Sequence, residues 1–179
     1  MEFLSLEFVN SRWYLTHRPY KDPLENAAWL AQLCAKWSLV CPEYSDKTVE
    51  TLKKFRSSLF DAALECCHGK ELSEQSVDFL ARSLKLGKFH YSLVMINGSP
   101  CLEEASDGSA LNTFICRTAK SFMDMLSACP AGSIKECANP DCDWIFCDDS
   151  KNRSRKWCDN RCASLIKVRR YRARAKKVS

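Results

Sequence analysis

Two pairs of cysteines in the last third of the chain have the spacing of metal ligands. Four residues separate Cys137 from Cys142, and three residues separate Cys158 from Cys162. Four thiolates brought together in this way form the coordination shell that Zn²⁺ takes in structural sites. Because such a site leaves no coordination position open for water, its role is structural and not catalytic. We therefore expect Cys137, Cys142, Cys158 and Cys162 to bind one structural Zn²⁺ ion.

A further cysteine, Cys147, follows Cys142 at the same interval, so spacing alone does not choose the first pair. The residues between Cys137 and Cys142 include Asn, Pro and Asp, which favour a turn that brings two sulfurs together. The residues between Cys142 and Cys147 indicate a strand, along which alternate side chains point to opposite faces. We therefore expect Cys147 to be a packing residue and not a metal ligand.

A strongly cationic segment follows the second cysteine pair. Residues 150–179 contain twelve Lys or Arg and one acidic residue, whereas the preceding 149 residues contain 15 Lys or Arg and 21 Asp or Glu. In a helix, Lys167, Arg170, Arg174 and Lys177 would share one face, and arginine binds phosphate through a planar fork. Such a helix fits the backbone or the major groove of DNA. The predicted nucleic-acid contacts are Arg153, Arg155, Lys156, Lys167, Arg169, Arg170, Arg172, Arg174 and Lys177.

The residues before the cysteines predict a mainly helical domain. Apolar residues recur at helical spacing in four segments, which predict helices over residues 22–37, 45–68, 73–86 and 109–128. Residues 89–103 contain two runs of β-forming residues around Asn97 and Gly98, which is a strong hairpin signal. Pro130 and Gly132 then break the pattern, which predicts domains at 1–130 and 131–179. The expected fold is mainly α with a small β-hairpin (α+β), followed by a treble-clef-like zinc finger.

Composition and motifs restrict the class of protein. Hydrophobic residues make up 46% of the chain, which is enough for a packed core, and the apolar runs are too short to cross a bilayer. The acidic start lacks the basic region of a secretory signal, so we expect a cytoplasmic protein without a membrane partner. No nucleophile–base pair or phosphate loop is visible, so we expect no enzyme. For the N-terminal domain, the sequence leaves open a small-molecule site at Asn10 and Arg18, and a homodimer.

The C-terminal part resembles the CGNR zinc finger family. The run from Cys137 to Cys158 carries the resemblance, and it continues from Lys167 to Arg174. That family joins the finger to an N-terminal domain called ABATE, and its members are regarded as stress-induced transcription regulators. Residues 8–11, 22–24 and 29–30 resemble the opening of that domain. The resemblance implies Zn²⁺ on the four cysteines and DNA binding by the finger.

The chain departs from this family at one point. Where the family reads Cys-Gly-Asn-Arg, this chain has Cys162 followed by Ala163, Ser164 and Leu165. The metal ligands are retained, but any contact by the family's Asn and Arg is lost. Two functions follow from the sequence. The first is a DNA-binding transcription regulator whose N-terminal domain senses a ligand or dimerises, and the alternative is an RNA-binding or protein-interaction adaptor with a structural zinc site.

Overall fold

The computed structural model describes residues 2–16, 18 and 20–178, with side chains as far as residue 175. This part of the chain forms six helices and two antiparallel hairpins, which confirms the predicted α+β class. The elements are α1 (Leu4–Asn10), α2 (Ala27–Lys36), α3 (Asp46–Cys67), α4 (Glu74–Lys85), β1 (Phe89–Ile96), β2 (Ser99–Ser106), α5 (Ala110–Ala128), β3 (Ile134–Glu136), β4 (Ile145–Cys147) and α6 (Asn160–Val178). No described helix combines the length and the apolar character needed to span a membrane.

Side-chain caps fix where four of the helices begin. Asn26, Ser45, Ser73 and Ser109 each accept a hydrogen bond from a backbone N–H in the first turn of α2, α3, α4 and α5. These N–H groups have no partner within the helix, so a capping oxygen stabilises the start. The prediction that one helix begins at Asp22 is wrong for its first turn. Asp22 caps a short 3₁₀ turn, and α2 begins after the cap at Asn26.

The core lies where α1, α3 and α5 meet. Phe8 on α1 is fully buried, with its ring 5.4 Å from Phe114 on α5 and 5.7 Å from Phe55 on α3. The sequence did not predict α1, which is only seven residues long. Isolated helices of that length are unstable in water, so packing of Phe8 and Val9 must stabilise α1.

A buried ion pair connects α3 to the segment before α2. Both terminal guanidinium nitrogens of Arg56 contact Asp22, with Nη1–Oδ1 at 2.8 Å and Nη2–Oδ2 at 2.5 Å. Each side chain is only 3% exposed. Nη1 of Arg56 also donates to Oγ of Ser11, 2.9 Å away, and Oδ1 of Asp22 accepts from the N–H of Leu24. Burial by itself would raise the pKa of Asp22, but these hydrogen bonds lower it overall.

The β3–β4 hairpin packs directly on the N-terminal helices. Ile134 and Ile145 belong to the same apolar core as Phe8. The amide of Asn10 donates to the carbonyl of Ile145 and accepts from its N–H, both at 2.8 Å, in the way that a neighbouring strand would. The domain boundary at residue 130 stays a prediction, and this packing shows that the two parts share one core.

Candidate metal centre and cationic helix

The four predicted metal ligands lie together. The sulfur atoms of Cys137, Cys142, Cys158 and Cys162 are all within 4.8 Å of one another. The sulfur of Cys158 is 3.8 Å from that of Cys142 and 3.6 Å from that of Cys162. Tetrahedral coordination with Zn–S bonds of about 2.3 Å requires sulfur–sulfur distances of about 3.8 Å. The spacing therefore fits four thiolates around one metal ion, and is much longer than a disulfide bond.

A tight turn positions the first pair, as the sequence predicted. The N–H of Cys142 donates to the carbonyl of Asn139, 2.9 Å away, and the side chain of Asn139 accepts from the N–H of Asp141. Asn139 is 2% exposed, and its amide nitrogen lies 3.4 Å from the sulfur of Cys162. It therefore holds ligands from both pairs. Sequence reasoning treated Asn139 only as a turn residue, although a polar residue inside a ligand turn was a usable signal.

The second pair sits at the start of α6. Oδ1 of Asp159 accepts from the N–H of Cys162 at 2.9 Å, and the carbonyl of Asp159 accepts from the N–H of Ala163. Asp159 is therefore the residue that caps the helix, so Cys162 lies in the first turn and Cys158 precedes it.

The donor set suits a metal cation. Burial raises the pKa of Cys142 to about 12, and the nearby sulfurs of Cys137 and Cys162 act in the same direction. Burial also acts to raise the pKa of Cys162, but hydrogen bonds, first among them the one from Asn139, lower it overall. Four ionised sulfurs at this separation need a bound positive ion to balance their charge. The site can hold a metal ion, and soft sulfur donors suit Zn²⁺.

Trp157 packs against the cysteine cluster. Trp144 and Phe146, which flank Ile145, are the other aromatic residues near the cluster in sequence. Phe146 lies under the guanidinium of Arg155, 4.9 Å from its ring centroid, and Trp144 is 37% exposed. The indole N–H of Trp157 is buried and has no hydrogen-bond partner among the described residues.

Cys147 lies outside the four-cysteine group, but its role differs from simple packing. It forms a disulfide with Cys129 at the end of α5, with a Cα–Cα distance of 6.4 Å. Next to it, the buried carboxylate of Asp148 accepts from Nζ of Lys135 at 2.7 Å and from the N–H of Arg155 at 2.9 Å. Burial acts to raise the pKa of Asp148, but hydrogen bonds from Lys135 and Ser150 lower it well below its usual range. These contacts tie the loop before α6 to the β3–β4 hairpin.

One face of α6 forms a cationic groove. Of its described side chains only Cys162 and Ile166 are buried. An open groove of about 510 Å³ runs along the helix. We call it the α6 groove. Its cationic and aromatic lining side chains are Trp157, Lys167, Arg170, Tyr171 and Arg174. The structure thus brings three of the predicted nucleic-acid contacts onto one surface.

The other predicted contacts are placed differently. Arg169 makes an ion pair with Asp141 at 2.5 Å, so its charge is balanced within the chain. The exposed guanidinium of Arg155 donates to the carbonyls of Trp157 and Cys158. Arg153, Arg155 and Lys156 line a separate cleft beside the end of α3, Arg172 is exposed, and the side chain of Lys177 lies outside the described residues.

The two predicted ligand-binding residues do not share a pocket. Both polar atoms of the Asn10 amide bind the backbone of Ile145, so this side chain has a structural role. Arg18 lines a groove of about 760 Å³ together with Trp13, Trp144 and three of the clustered cysteines. Ligand binding by Arg18 stays a prediction.

Replacing Asn10 by alanine is expected to weaken attachment of the β3–β4 hairpin. The change leaves the N–H and the carbonyl of Ile145 buried without partners, which typically lowers the free energy of unfolding by about 1–3 kcal/mol per group. Urea titration would measure the loss. Asn26→Ala, which removes only a capping bond at an exposed helix start, serves as the control at about 1 kcal/mol. An Asn10 variant as stable as the wild type would contradict the structural role.

Comparison with known families supports the nature of the site. Residues 133–175 match the sequence profile of the CGNR zinc finger. The matched segment begins just before β3, contains all four clustered cysteines and reaches nearly to the end of α6. Comparison with curated proteins finds no similar sequence. The match and the sulfur geometry together identify a zinc finger with a four-cysteine metal site.

Proposed function

We propose that this protein is a DNA-binding transcription regulator, in which a structural Zn²⁺ ion orients α6 and α6 contacts DNA. The observation that supports the proposal is the α6 groove. It combines three cations with two aromatic side chains, and no acidic residue is found among the described residues that line it. Lys167, Arg170 and Tyr171 are exposed, so a phosphate backbone can reach them.

Duplex DNA fits this helix better than duplex RNA does. The major groove of B-form DNA is about 12 Å wide, which matches the diameter of an α-helix with its side chains. The major groove of A-form RNA is too narrow for side chains to read. The two buried side chains of α6, Cys162 and Ile166, lie in its first two turns, and residues 167–175 are exposed and can therefore enter a groove.

The metal site fixes the direction of α6. Cys162 belongs to the helix, while Cys137 and Cys142 belong to the segment that connects β3 to β4. A metal ion bound to all four sulfurs therefore connects the helix to the hairpin, which packs on the core. Four protein ligands leave no position for substrate, which supports a role that is not enzymatic.

In this proposal the N-terminal part is the regulatory unit. Residues 1–130 form the ABATE-like domain, which senses a ligand or dimerises, in a cytoplasmic protein of the stress response. These parts of the proposal derive from the family resemblance, together with the groove that Arg18 lines.

The test compares wild-type protein with the double variant Arg170→Ala and Arg174→Ala on a random-sequence DNA duplex. Fluorescence anisotropy at several salt concentrations gives the slope of log affinity against log salt. Each phosphate contact contributes about 0.9 to this slope, so we expect the double variant to lower it by about 1.8 and to bind weakly. The control variant Arg82→Ala and Lys85→Ala removes two exposed cations from α4 and should bind like the wild type.

The same titration with an RNA duplex separates the two candidate functions. Tighter binding to RNA would favour the RNA-binding adaptor instead. Absence of DNA binding at low salt, in protein that contains one zinc ion per chain, would contradict the proposed function.

A further inference from the structure

Away from its open end, the β1–β2 hairpin presents an apolar face that none of the described residues covers. Its register places Leu93 opposite Leu102, Tyr91 opposite Glu104 and Met95 opposite Pro100, so these side chains share one face. The exposed fractions are 61% for Tyr91, 75% for Leu93, 66% for Met95 and 70% for Leu102. We call the surface formed by these four side chains the ribbon face.

The hairpin is attached to the helices only near its open end. The guanidinium of Arg117 on α5 lies 4.5 Å from the ring centroid of Phe89 and forms an ion pair with Glu104. Oγ of Ser106 lies 2.9 Å from Oγ1 of Thr113. Nδ1 of His90 also lies 3.3 Å from the carboxylate of Asp107, just after β2. Further along the ribbon, the described residues of the two strands pair with each other. A two-stranded hairpin is marginally stable in water unless its apolar face packs against something, so the ribbon face requires a partner.

Charge indicates what the partner is. Residues 89–106 contain no Lys or Arg, and Glu103 and Glu104 are acidic. Phosphate backbones and anionic membrane surfaces are therefore poor matches. On the ribbon face itself the one charged neighbour, Glu104, already pairs with Arg117. The surface is thus neutral and apolar, and an identical surface complements it without any matching charge.

We propose that the ribbon face is the contact through which two copies of this chain form a dimer. The two hairpins stack face to face about a two-fold axis close to the Leu93–Leu102 pair, at the distance of about 10 Å usual for packed sheets. Tyr91 and Met95 of each copy lie on either side of that pair and are buried with it. This inference does not depend on DNA binding by α6.

The size of the surface sets the expected affinity. Four side chains from each copy make an interface at the small end of the range, below about 1,200 Å² in total. We therefore expect a dissociation constant on the order of micromolar. A dimer of this strength dissociates within the concentration range of an ordinary sedimentation experiment.

The test is sedimentation velocity between about 1 and 100 μM, a range that brackets a micromolar dissociation constant. Wild-type protein should shift from the mass of one chain, 20.5 kDa, to twice that mass. The variant Leu93→Glu with Leu102→Glu should stay monomeric, since it places four like charges in the contact. The control Val40→Glu with Val77→Glu adds the same charge at exposed positions elsewhere and should still dimerise. Circular dichroism checks that all variants keep their helix content. A milder double variant, Leu93→Ser with Leu102→Ser, should also weaken the dimer.

Three results would overturn the proposal. The first is wild-type protein that stays monomeric at 100 μM. The second is a dimer that the Leu93 and Leu102 replacements do not weaken, which would place the contact elsewhere. The third is a monomer that binds neutral phosphatidylcholine vesicles through Leu93 and Leu102, which would make the ribbon face a membrane contact.

Discussion

Replacing Cys142 by serine is expected to abolish stoichiometric zinc binding and to unfold α6. Four-sulfur sites contribute about 10–16 kcal/mol of apparent binding free energy in zinc-finger peptides at pH 7, and three ligands cannot close the shell. Because only Cys162 and Ile166 of the described α6 side chains are buried, the helix has little other support. Elemental analysis would measure the zinc content, and circular dichroism would report the loss of the 19-residue helix.

Loss of the metal should unfold α6 but not the β3–β4 hairpin. The β3–β4 hairpin packs through Ile134 and Ile145 into the core and is held by Asn10, so it should remain folded without the metal. Amide hydrogen exchange should therefore become fast in residues 160–175 and stay slow in α3 and α5. The control Cys41→Ser changes an exposed cysteine outside the cluster and should leave zinc content unchanged.

A graded variant tests the site more finely. Asn139→Ala keeps all four sulfurs but removes the amide that contacts Cys162. Partners of metal ligands typically contribute about 10–100-fold in metal affinity, so competition with a chelator should show a loss of that size for Asn139→Ala.

For the first variant, one result would exclude the four-sulfur site: Cys142→Ser protein that still binds one zinc ion with unchanged affinity.

Replacing Arg56 by methionine is expected to lower the free energy of unfolding by about 3–5 kcal/mol. The change leaves the carboxylate of Asp22 buried beside Ser11 without its charged partner, since Arg56 supplies both of the short contacts. Lys53, with its nitrogen 3.8 Å from Asp22, is too distant to replace the bidentate pair. Urea titration at neutral pH would measure the effect. Lys54→Met, at an exposed position two residues before Arg56 on α3, should change stability little.

The pH dependence gives an independent check. In the folded protein the pKa of Asp22 lies below its unfolded value of about 3.9. The pair therefore contributes its full stability above that pH, and the contribution is lost as the pH falls through the folded-state pKa. Without Arg56 the buried carboxyl should favour its neutral form, so acid should destabilise the variant less than the wild type. Equal stability of the two proteins at neutral pH would show that the pair contributes nothing.

The sequence by itself determined which four cysteines cluster and most helix boundaries. Cys137 and Cys142 are joined by a turn of Asn, Pro and Asp, and Ser45, Ser73 and Ser109 cap helices within three residues of themselves. The β1–β2 turn follows the same rule, since Asn97 and Gly98 both adopt the positive φ that such a hairpin requires. These features depend on groups that are close along the chain, so local spacing is sufficient to predict them.

Only the tertiary structure decided what the individual polar side chains do. Asn10 binds Ile145, which is 135 residues away, and so cannot serve the ligand pocket that its polarity suggested. Arg169 is neutralised by Asp141, whereas Arg170 beside it lines the α6 groove. The exposure of Leu93 and Leu102 could not be inferred either, because a strand pattern does not show whether another element covers its apolar face. In each case the outcome depends on contacts between distant parts of the chain, which residue type and local spacing do not specify.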